Sequence, residues 1–319
     1  MRKNQHHYIN ALVLACALAL GFGYVQDLNT QRELKEQEIR VQDDLRNMMR
    51  EKRQQELSVK LGELQAEAVY VVDMKNDEVL FGRQETTLYP LASLAKMVTS
   101  LVALDNFPVD TVTITAESLA QSGDKGLVLG ETWDVAELMK FMLMTSSNDA
   151  AHALAVSLGE DTRNFIFLMN RYVQNRGLDD MYFLSPTGLD DDVYGVTGYG
   201  TARSIYEVMK ISYQEYPDIF RVTAAPQGYF TSQSGTVHRG VNTNTVIGTI
   251  PGVVFSKTGY TNDAGGSLAF IFEAGPHHPI GVVILGSTFY GRFDDAQKIV
   301  SAILYEKDIP CLNCEGNVY

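Results

Sequence analysis

A serine and a lysine three residues apart, Ser93 and Lys96, are the first residues in the chain whose types and spacing could do chemistry. Apolar residues at spacings of three and four over 94–102 predict a helix that begins just after Pro90. Residues three apart on a helix share a face, so the amine can reach the hydroxyl. The helix N-terminus also favours negative charge. This stretch can therefore form a nucleophile with its own base.

The spacing alone is weak evidence, because a second Ser-x-x-Lys occurs at Ser122 and Lys125 in a Gly-rich loop. On this stretch alone a helix N-cap is the favoured role of Ser93. Two further motifs strengthen the catalytic interpretation. Ser146-Ser147-Asn148 lies between two predicted helices and also fits a helix cap. Lys257-Thr258-Gly259 ends a predicted strand and also fits an exposed edge lysine followed by a turn.

The three motifs in this order resemble those of penicillin-binding proteins and β-lactamases. Among these, the chain is most similar to the serine-type D-alanyl-D-alanine carboxypeptidases. Three further segments carry the resemblance: 183–189, Asn242-Thr243-Asn244 and 257–265. The resemblance implies an α/β (α+β) fold of the β-lactamase/transpeptidase type. In that fold an antiparallel sheet is flanked by helices and an all-helical lobe is inserted.

The resemblance also implies a role for each catalytic residue. Ser93 would be the nucleophile and Lys96 its general base, which must be neutral when it acts. Ser146 would relay a proton to the departing amine, and Asn148 would orient Lys96 and the substrate amide. Backbone N–H groups of Ser93 and Tyr260 would form the oxyanion hole.

Substrate binding is implied for Lys257, Thr258, Gly259 and Arg292. The first two would bind the substrate carboxylate, and Gly259 leaves room for a peptide to pair with the strand. Arg292 could instead be a surface charge at the start of a helix. Thr243 stands where some relatives carry Arg, which weakens the prediction of tight carboxylate binding. The resemblance implies no metal and no cofactor.

The implied activity is removal of the terminal D-Ala from peptidoglycan stem peptides, with β-lactams as covalent inhibitors. A D,D-endopeptidase acting on cross-links would use the same residues. The segment 179–186 contains no Glu that could serve the water of deacylation, so a β-lactamase is disfavoured. A membrane-anchored scaffold without turnover is the alternative from a different class, and the intact motifs count against it.

Strand patterns at both ends of 66–306 and helical patterns between them independently predict a sheet assembled from the two ends, with a helical lobe at about 109–226. One strand is expected over 228–237 and a final helix over 294–305.

The segments that flank the predicted catalytic domain indicate where in the cell the protein resides. An apolar run, 11–25, follows Arg2 and Lys3, which is typical of a membrane anchor or a signal peptide within residues 1–26. Because the run stays apolar past the small residues, an uncleaved anchor with the catalytic domain outside the cytoplasm is favoured over secretion. Residues 27–65 form a charged helical stalk, with a broken coiled-coil seam that could support a dimer.

The C-terminal tail, 307–319, holds Cys311 and Cys314, interpreted as a disulfide or idle thiols rather than a redox or zinc site. The net charge of -13, with no basic patch, argues against nucleic acid as a partner.

Overall fold

The computed structural model describes residues 2–106, 110–123, 125–159, 161–191, 193 and 195–307. Side chains at 2–28, 30, 50, 106, 159 and 305–307 are outside that description. The predicted membrane segment 11–25 therefore lacks described side chains, and Cys311 and Cys314 lie outside the described residues. The chain divides into two compact units, Met1–Glu56 and Leu57–Tyr319.

Strands come from both ends of the second unit, as the sequence pattern predicts. In chain order they are β1 (Ala68–Asp73), β2 (Glu78–Arg83), β3 (Tyr89–Pro90), β4 (Thr111–Thr113), β5 (Thr132–Asp134), β6 (Tyr182–Phe183), β7 (Gly198–Gly200), β8 (Gln227–Thr231), β9 (Val237–Val241), β10 (Val253–Thr261), β11 (Gly265–Glu273) and β12 (Pro279–Ser287).

The helices are α1 (Arg2–Leu61), α2 (Ala95–Asn106), α3 (Val135–Thr145), α4 (Asn148–Gly159), α5 (Thr162–Asn175), α6 (Ala202–Glu215), α7 (Pro217–Phe220) and α8 (Gly291–Lys307). Helices α2 to α7 lie in sequence between the outer strands. The prediction of an antiparallel sheet with a helical insertion is therefore confirmed.

The main sheet has five strands in the order β10-β11-β12-β1-β2, all antiparallel to their neighbours. Strand β1 is buried along its whole length. Successive side chains point to opposite faces of a sheet. Tyr70 and Val72 accordingly pack into the apolar core shared with the helical lobe, whereas Val69 and Val71 pack into a second core with α8. Two covered faces explain why this strand reads as a continuous apolar run.

Helix α2 runs through the first core, where Met97, Val98, Leu101 and Val102 are fully buried. This stripe is the periodicity that predicts the helix, and it holds the helix rigidly in place. Strand β10 lies at one edge of the sheet and contacts the 3-10 turn Ala92–Leu94 that precedes α2. Packing therefore brings the first motif against the strand that carries the third.

The single strand predicted over 228–237 is wrong. The chain turns there, and two strands, β8 and β9, pair as a hairpin. The turn is closed by hydrogen bonds from the Ser232 N–H to the Thr236 carbonyl and from the Gly235 N–H to the Ser232 carbonyl. Gly235 has φ +87°, a left-handed conformation that glycine adopts without strain.

In the first unit, the apolar residues of the predicted seam, Leu34, Val41, Leu45 and Met48, are exposed. Among the residues whose side chains are described, no helix combines enough length and apolar character to cross a membrane. In the second unit, Leu57, Leu61 and Leu64 are buried in the core that contains Phe293 and Ile299 of α8.

Candidate active site

Ser93 lies in the 3-10 turn Ala92–Leu94, and Lys96 lies in the first turn of α2. The Lys96 Nζ lies within hydrogen-bonding distance of the Ser93 Oγ, at 2.9 Å. The turn carries backbone strain, since Ala92 has φ +48°, in the left-handed region that L-residues seldom occupy. Such strain persists only where the surroundings impose it, and it is common at functional sites. The predicted serine–lysine pair is therefore formed.

Lys96 is fully buried, and its Nζ also donates to the Asn148 Oδ1 at 2.7 Å and the Thr187 carbonyl at 2.6 Å. Burial lowers the pKa of Lys96 well below its ordinary value, and the charges of Lys257 and Lys125 lower it further. A neutral amine has two N–H donors and one lone pair. Because the amide and carbonyl oxygens only accept, they take both donors. The lone pair then faces the Ser93 hydroxyl, which is the arrangement a base requires.

Ser146 occupies the turn between α3 and α4 in a left-handed conformation, with φ 58° and ψ 33°. Its Oγ accepts a hydrogen bond from the Lys257 Nζ at 2.8 Å. The capping role that the sequence left open belongs instead to Ser147, whose Oγ accepts from the Ala150 N–H at 3.2 Å. Ser146 is thus available to the site.

Asn148 connects the base to a segment that the sequence did not assign to the site. Its Nδ2 donates to the Ser122 carbonyl at 2.6 Å. This donor contact fixes which end of the amide is oxygen, and so supports Oδ1 as the acceptor for Lys96. With both ends bonded, the Asn148 side chain holds Lys96 in one position.

Lys257 is only 1% exposed, so the alternative of an exposed edge lysine is wrong. Its pKa is lowered to about 7, mainly by burial and then by the charges of Arg292 and Lys125. Its Nζ donates to the Thr258 carbonyl at 2.9 Å as well as to Ser146. The second and third motifs therefore meet directly.

Gly259 permits close packing between β10 and the nucleophile turn. A Cβ at this position would lie 2.9 Å from the Leu91 carbonyl oxygen and 3.2 Å from the Ala92 Cβ. The next residue, Tyr260, has 45% of its surface exposed. The strand that carries the third motif thus reaches the turn that carries Ser93 only because residue 259 lacks a side chain.

Arg292, in the first turn of α8, is 4% exposed and is not a surface charge. Its Nη1 donates to the Gly259 carbonyl at 2.7 Å, and its guanidinium lies 4.6 Å from the ring centres of both Phe289 and Phe293. Burial lowers its pKa to about 10. Arg292 therefore fixes the position of β10 through the Gly259 carbonyl and adds positive charge beside the third motif.

Sequence reasoning gave no role to two contributors. Thr187 and Ser122 act through backbone carbonyls, which leave no trace in residue type. The Thr243 Oγ1 lies 2.5 Å from the Thr258 Oγ1, so the position where some relatives carry Arg contacts the third motif through a hydroxyl. The sequence signal near Thr187 is the glycine that follows it, and the structure gives Gly188 a φ of +72°.

Comparisons with known proteins agree with this geometry. Residues 51–288 match the Peptidase S11 family model, described as D-alanyl-D-alanine carboxypeptidase. A D-alanyl-D-alanine carboxypeptidase of Mycobacterium tuberculosis is 30% identical over 209 residues, covering 65% of this chain and 70% of that protein. A D-alanyl-D-alanine endopeptidase of Escherichia coli is 26% identical over 255 residues, covering 78% of this chain and 80% of the relative.

Among solved structures, penicillin-binding protein D2 of Listeria monocytogenes in its ampicillin-bound form superimposes with a TM-score of 0.63 at 26% identity. The match covers 76% of this chain and 98% of that one.

Proposed function

Because the chain belongs to the D-alanyl-D-alanine carboxypeptidase family of serine peptidases, we propose that it removes the terminal D-Ala of peptidoglycan stem peptides through an acyl-enzyme on Ser93. One observation carries the proposal. The Nζ of the buried Lys96 lies 2.9 Å from the Ser93 Oγ, and oxygens of Asn148 and Thr187 accept hydrogen bonds from it, so that the neutral amine keeps its lone pair for Ser93.

In the first step the Ser93 Oγ attacks the carbonyl carbon of the D-Ala-D-Ala bond and its proton passes to Lys96. The negative charge that develops on the carbonyl oxygen is stabilised by the backbone N–H groups of Ser93 and Tyr260. The C–N bond then breaks, and the departing amine takes a proton through Ser146. Water completes the cycle by cleaving the ester, with Lys96 again as base.

The substrate lies along β10, an edge strand that can pair with an extended peptide. Its terminal carboxylate binds the Lys257 ammonium and the Thr258 hydroxyl. A bound carboxylate favours the charged form of Lys257, whose pKa in the empty site is about 7. Arg292 contributes by holding the Gly259 carbonyl and by its charge.

Labelling with a fluorescent penicillin tests the acyl-enzyme. We expect the purified full chain to take a covalent label and Ser93→Ala to take none. Ser157→Ala, which removes an exposed hydroxyl on α4, is the matched control and should label like the parent. A parent protein that takes no label would refute the proposal.

The second candidate is a D,D-endopeptidase, which the Escherichia coli relative favours because its name records that activity at similar coverage. The chemistry at Ser93 would be unchanged, and the difference would lie in how the cleft admits a second stem peptide. Digestion of a monomeric muropeptide ending in D-Ala-D-Ala beside a cross-linked dimer separates the two. The carboxypeptidase proposal requires faster release of D-Ala from the monomer than of peptide from the dimer.

We also propose that residues 1–26 anchor the protein in the cell membrane and that the charged helix after them holds the catalytic unit outside the cytoplasm. The support is the apolar run 11–25 behind Arg2 and Lys3. Dimerisation through Leu34, Val41, Leu45 and Met48 would cover apolar side chains that are exposed in the chain. Membrane fractionation tests the anchor, and sedimentation of residues 27–319 with and without Leu45→Glu tests the dimer.

A further inference from the structure

Three exposed aromatic side chains lie together at the end of β10, and the proposed mechanism uses none of their rings. Tyr260, Phe289 and Tyr290 are 45%, 42% and 74% exposed. The ring centre of Phe289 lies 4.9 Å from that of Tyr260 and 4.9 Å from that of Tyr290. Both pairs meet edge to face, at 89° and 87°, a favourable geometry for aromatic rings. We refer to these three side chains as the aromatic shelf.

A glycine in β11 allows the shelf to form. Gly266 pairs with Tyr260 across the sheet, and a Cβ on Gly266 would lie 2.1 Å from the Thr288 carbonyl oxygen. Because residue 266 has no side chain, the segment 288–292 can lie over β11, directly beside Tyr260. This close approach brings a segment that follows β12 into contact with the strand that carries the third motif.

The backbone and the buried side of the shelf are fixed. The Tyr290 carbonyl accepts a hydrogen bond from the Phe293 N–H at 2.9 Å, in the first turn of α8. The Arg292 guanidinium lies 4.6 Å from the ring centre of Phe289 and 5.8 Å from that of Tyr260. Exposed rings that are held in this way lose little conformational entropy when a ligand covers them. The shelf is therefore preorganised for binding.

The direction of the substrate along β10 places its upstream part at the shelf. In the proposed mechanism the terminal carboxylate binds at Lys257 and Thr258, and the scissile carbonyl lies at the Tyr260 N–H. The peptide therefore runs antiparallel to β10, and the residues before the scissile bond lie beside Thr261 and the end of the strand. Strand β12 ends at the same end of the sheet, and Phe289 follows it.

The chemistry of the shelf favours an apolar ligand group. The cation on its buried side, Arg292, is 4% exposed, and its Nη1 is engaged by the Gly259 carbonyl. The shelf thus presents mainly ring surface to the solvent. An aliphatic or aromatic group that covers these rings removes apolar surface from water on both partners, which stabilises the complex.

We propose that the aromatic shelf is a subsite that binds an apolar group of the acyl donor, on the amine side of the scissile bond. This inference rests on the proposed acyl-enzyme at Ser93. The shelf contributes to binding and takes no part in bond breaking. Its effect should therefore appear in the second-order rate constant of acylation, which includes the binding of the donor.

The test uses two penicillins that differ only in the acyl group on the 6-amino nitrogen, phenylacetyl in one and acetyl in the other. For the full chain we expect the second-order rate constant of acylation to be about three- to tenfold higher for the phenylacetyl compound, as an aromatic contact allows. Tyr290→Ala, which removes the most exposed ring, should bring the ratio of the two rate constants close to one. Tyr290→Phe, which keeps the ring, should retain the parental ratio.

Phe167→Ala, which removes an exposed ring on α5, is the matched control and should keep the parental ratio. Thermal unfolding shows that each variant is folded. Equal rate constants for the two penicillins in the parent would overturn the inference, as would a parental ratio in Tyr290→Ala or an equal loss in Phe167→Ala. A parental ratio in Tyr290→Ala together with slower sedimentation would identify the shelf as an interface between copies of the chain. If neither penicillin acylates the parent, the proposed function fails instead.

Discussion

Replacing Gly188 by alanine should disable the site from a loop that carries no catalytic side chain. Gly188 follows Thr187, whose carbonyl accepts the hydrogen bond from Lys96. A Cβ on Gly188 would lie 2.0 Å from the Ala92 carbonyl oxygen and 2.6 Å from its carbon. Because Ala92 precedes Ser93, any relief of this clash must move either the nucleophile turn or the carbonyl that holds the base.

A matched variant separates the two parts of the free-energy cost of Gly188→Ala, which are backbone strain and steric clash. Gly177 has nearly the same conformation, φ +70° against +72° at Gly188, but a Cβ there would meet no heavy atom within 4 Å. Gly177→Ala should therefore cost only the left-handed strain, about 1–2 kcal/mol. Gly188→Ala should cost about 1–3 kcal/mol more, as overpacking of a close contact does.

In thermal unfolding this difference should appear as a midpoint lower by roughly 2–12 °C for Gly188→Ala than for Gly177→Ala, at about 2–4 °C per kcal/mol for a domain of this size. The second-order rate of penicillin acylation should fall about 100-fold in Gly188→Ala, since misplacement by about 1 Å costs that much, and should be unchanged in Gly177→Ala. Equal midpoints and equal acylation rates for the two variants would refute the reasoning.

Three further changes test the site. Lys125→Ala should raise the pKa of Lys96, because it removes a positive charge that repels the ammonium form. Since the base must be neutral, the fall of the acylation rate at low pH should then begin at a higher pH than in the parent. A pH–rate profile identical to that of the parent would contradict this. Asn148→Ala removes one of the two oxygen acceptors of the buried Lys96 amine and should slow acylation about 100-fold, with thermal stability measured as the control for folding. A parental rate would exclude the orienting role of Asn148. Arg292→Met removes the donor to the Gly259 carbonyl and should slow acylation about tenfold. Arg292→Lys should recover part of that loss. Equal acylation rates in the parent and both variants would exclude a positioning role for Arg292.

The parts of the fold that could be predicted from the sequence are those with a clear pattern of apolar residues. The apolar stripe of α2 and the continuous apolar run of β1 each reflect burial against a core that the structure shows. The hairpin of β8 and β9 was not predicted, because its strands alternate in polarity without a clear boundary between them. The turn residues at 232–236 are the stronger signal there.

For the site, the types and spacing of hydroxyl and amine side chains predicted Ser93, Lys96, Ser146 and Lys257 as candidates, and the structure pairs Ser93 with Lys96 and Ser146 with Lys257. The burial and the contacts of these side chains could not be predicted from the sequence. The burial of Lys257 depends on tertiary packing, including the contact of its amine with Ser146 in the turn between α3 and α4, which no local sequence pattern encodes. The carbonyls that hold Lys96 and Asn148 belong to distant loops, where any residue type would offer the same oxygen.

The fate of a β-lactam adduct follows from what surrounds Lys96. Its polar contacts are the Ser93 hydroxyl, the Asn148 amide and the Thr187 carbonyl, and none is a carboxylate. Within the described part of the chain, no carboxylate is hydrogen-bonded to the Lys96 amine.

We therefore expect Lys96 to serve deacylation as well, so a bulky acyl group that displaces water from it should persist. We expect a fluorescent penicillin adduct to survive for minutes after a chase with unlabelled penicillin, whereas the acyl-enzyme of a D-Ala-D-Ala peptide turns over. Mass spectrometry of the intact protein during the chase measures both species. Loss of the penicillin mass within seconds would mean that another group activates the water, and would favour a β-lactamase over the proposed peptidase.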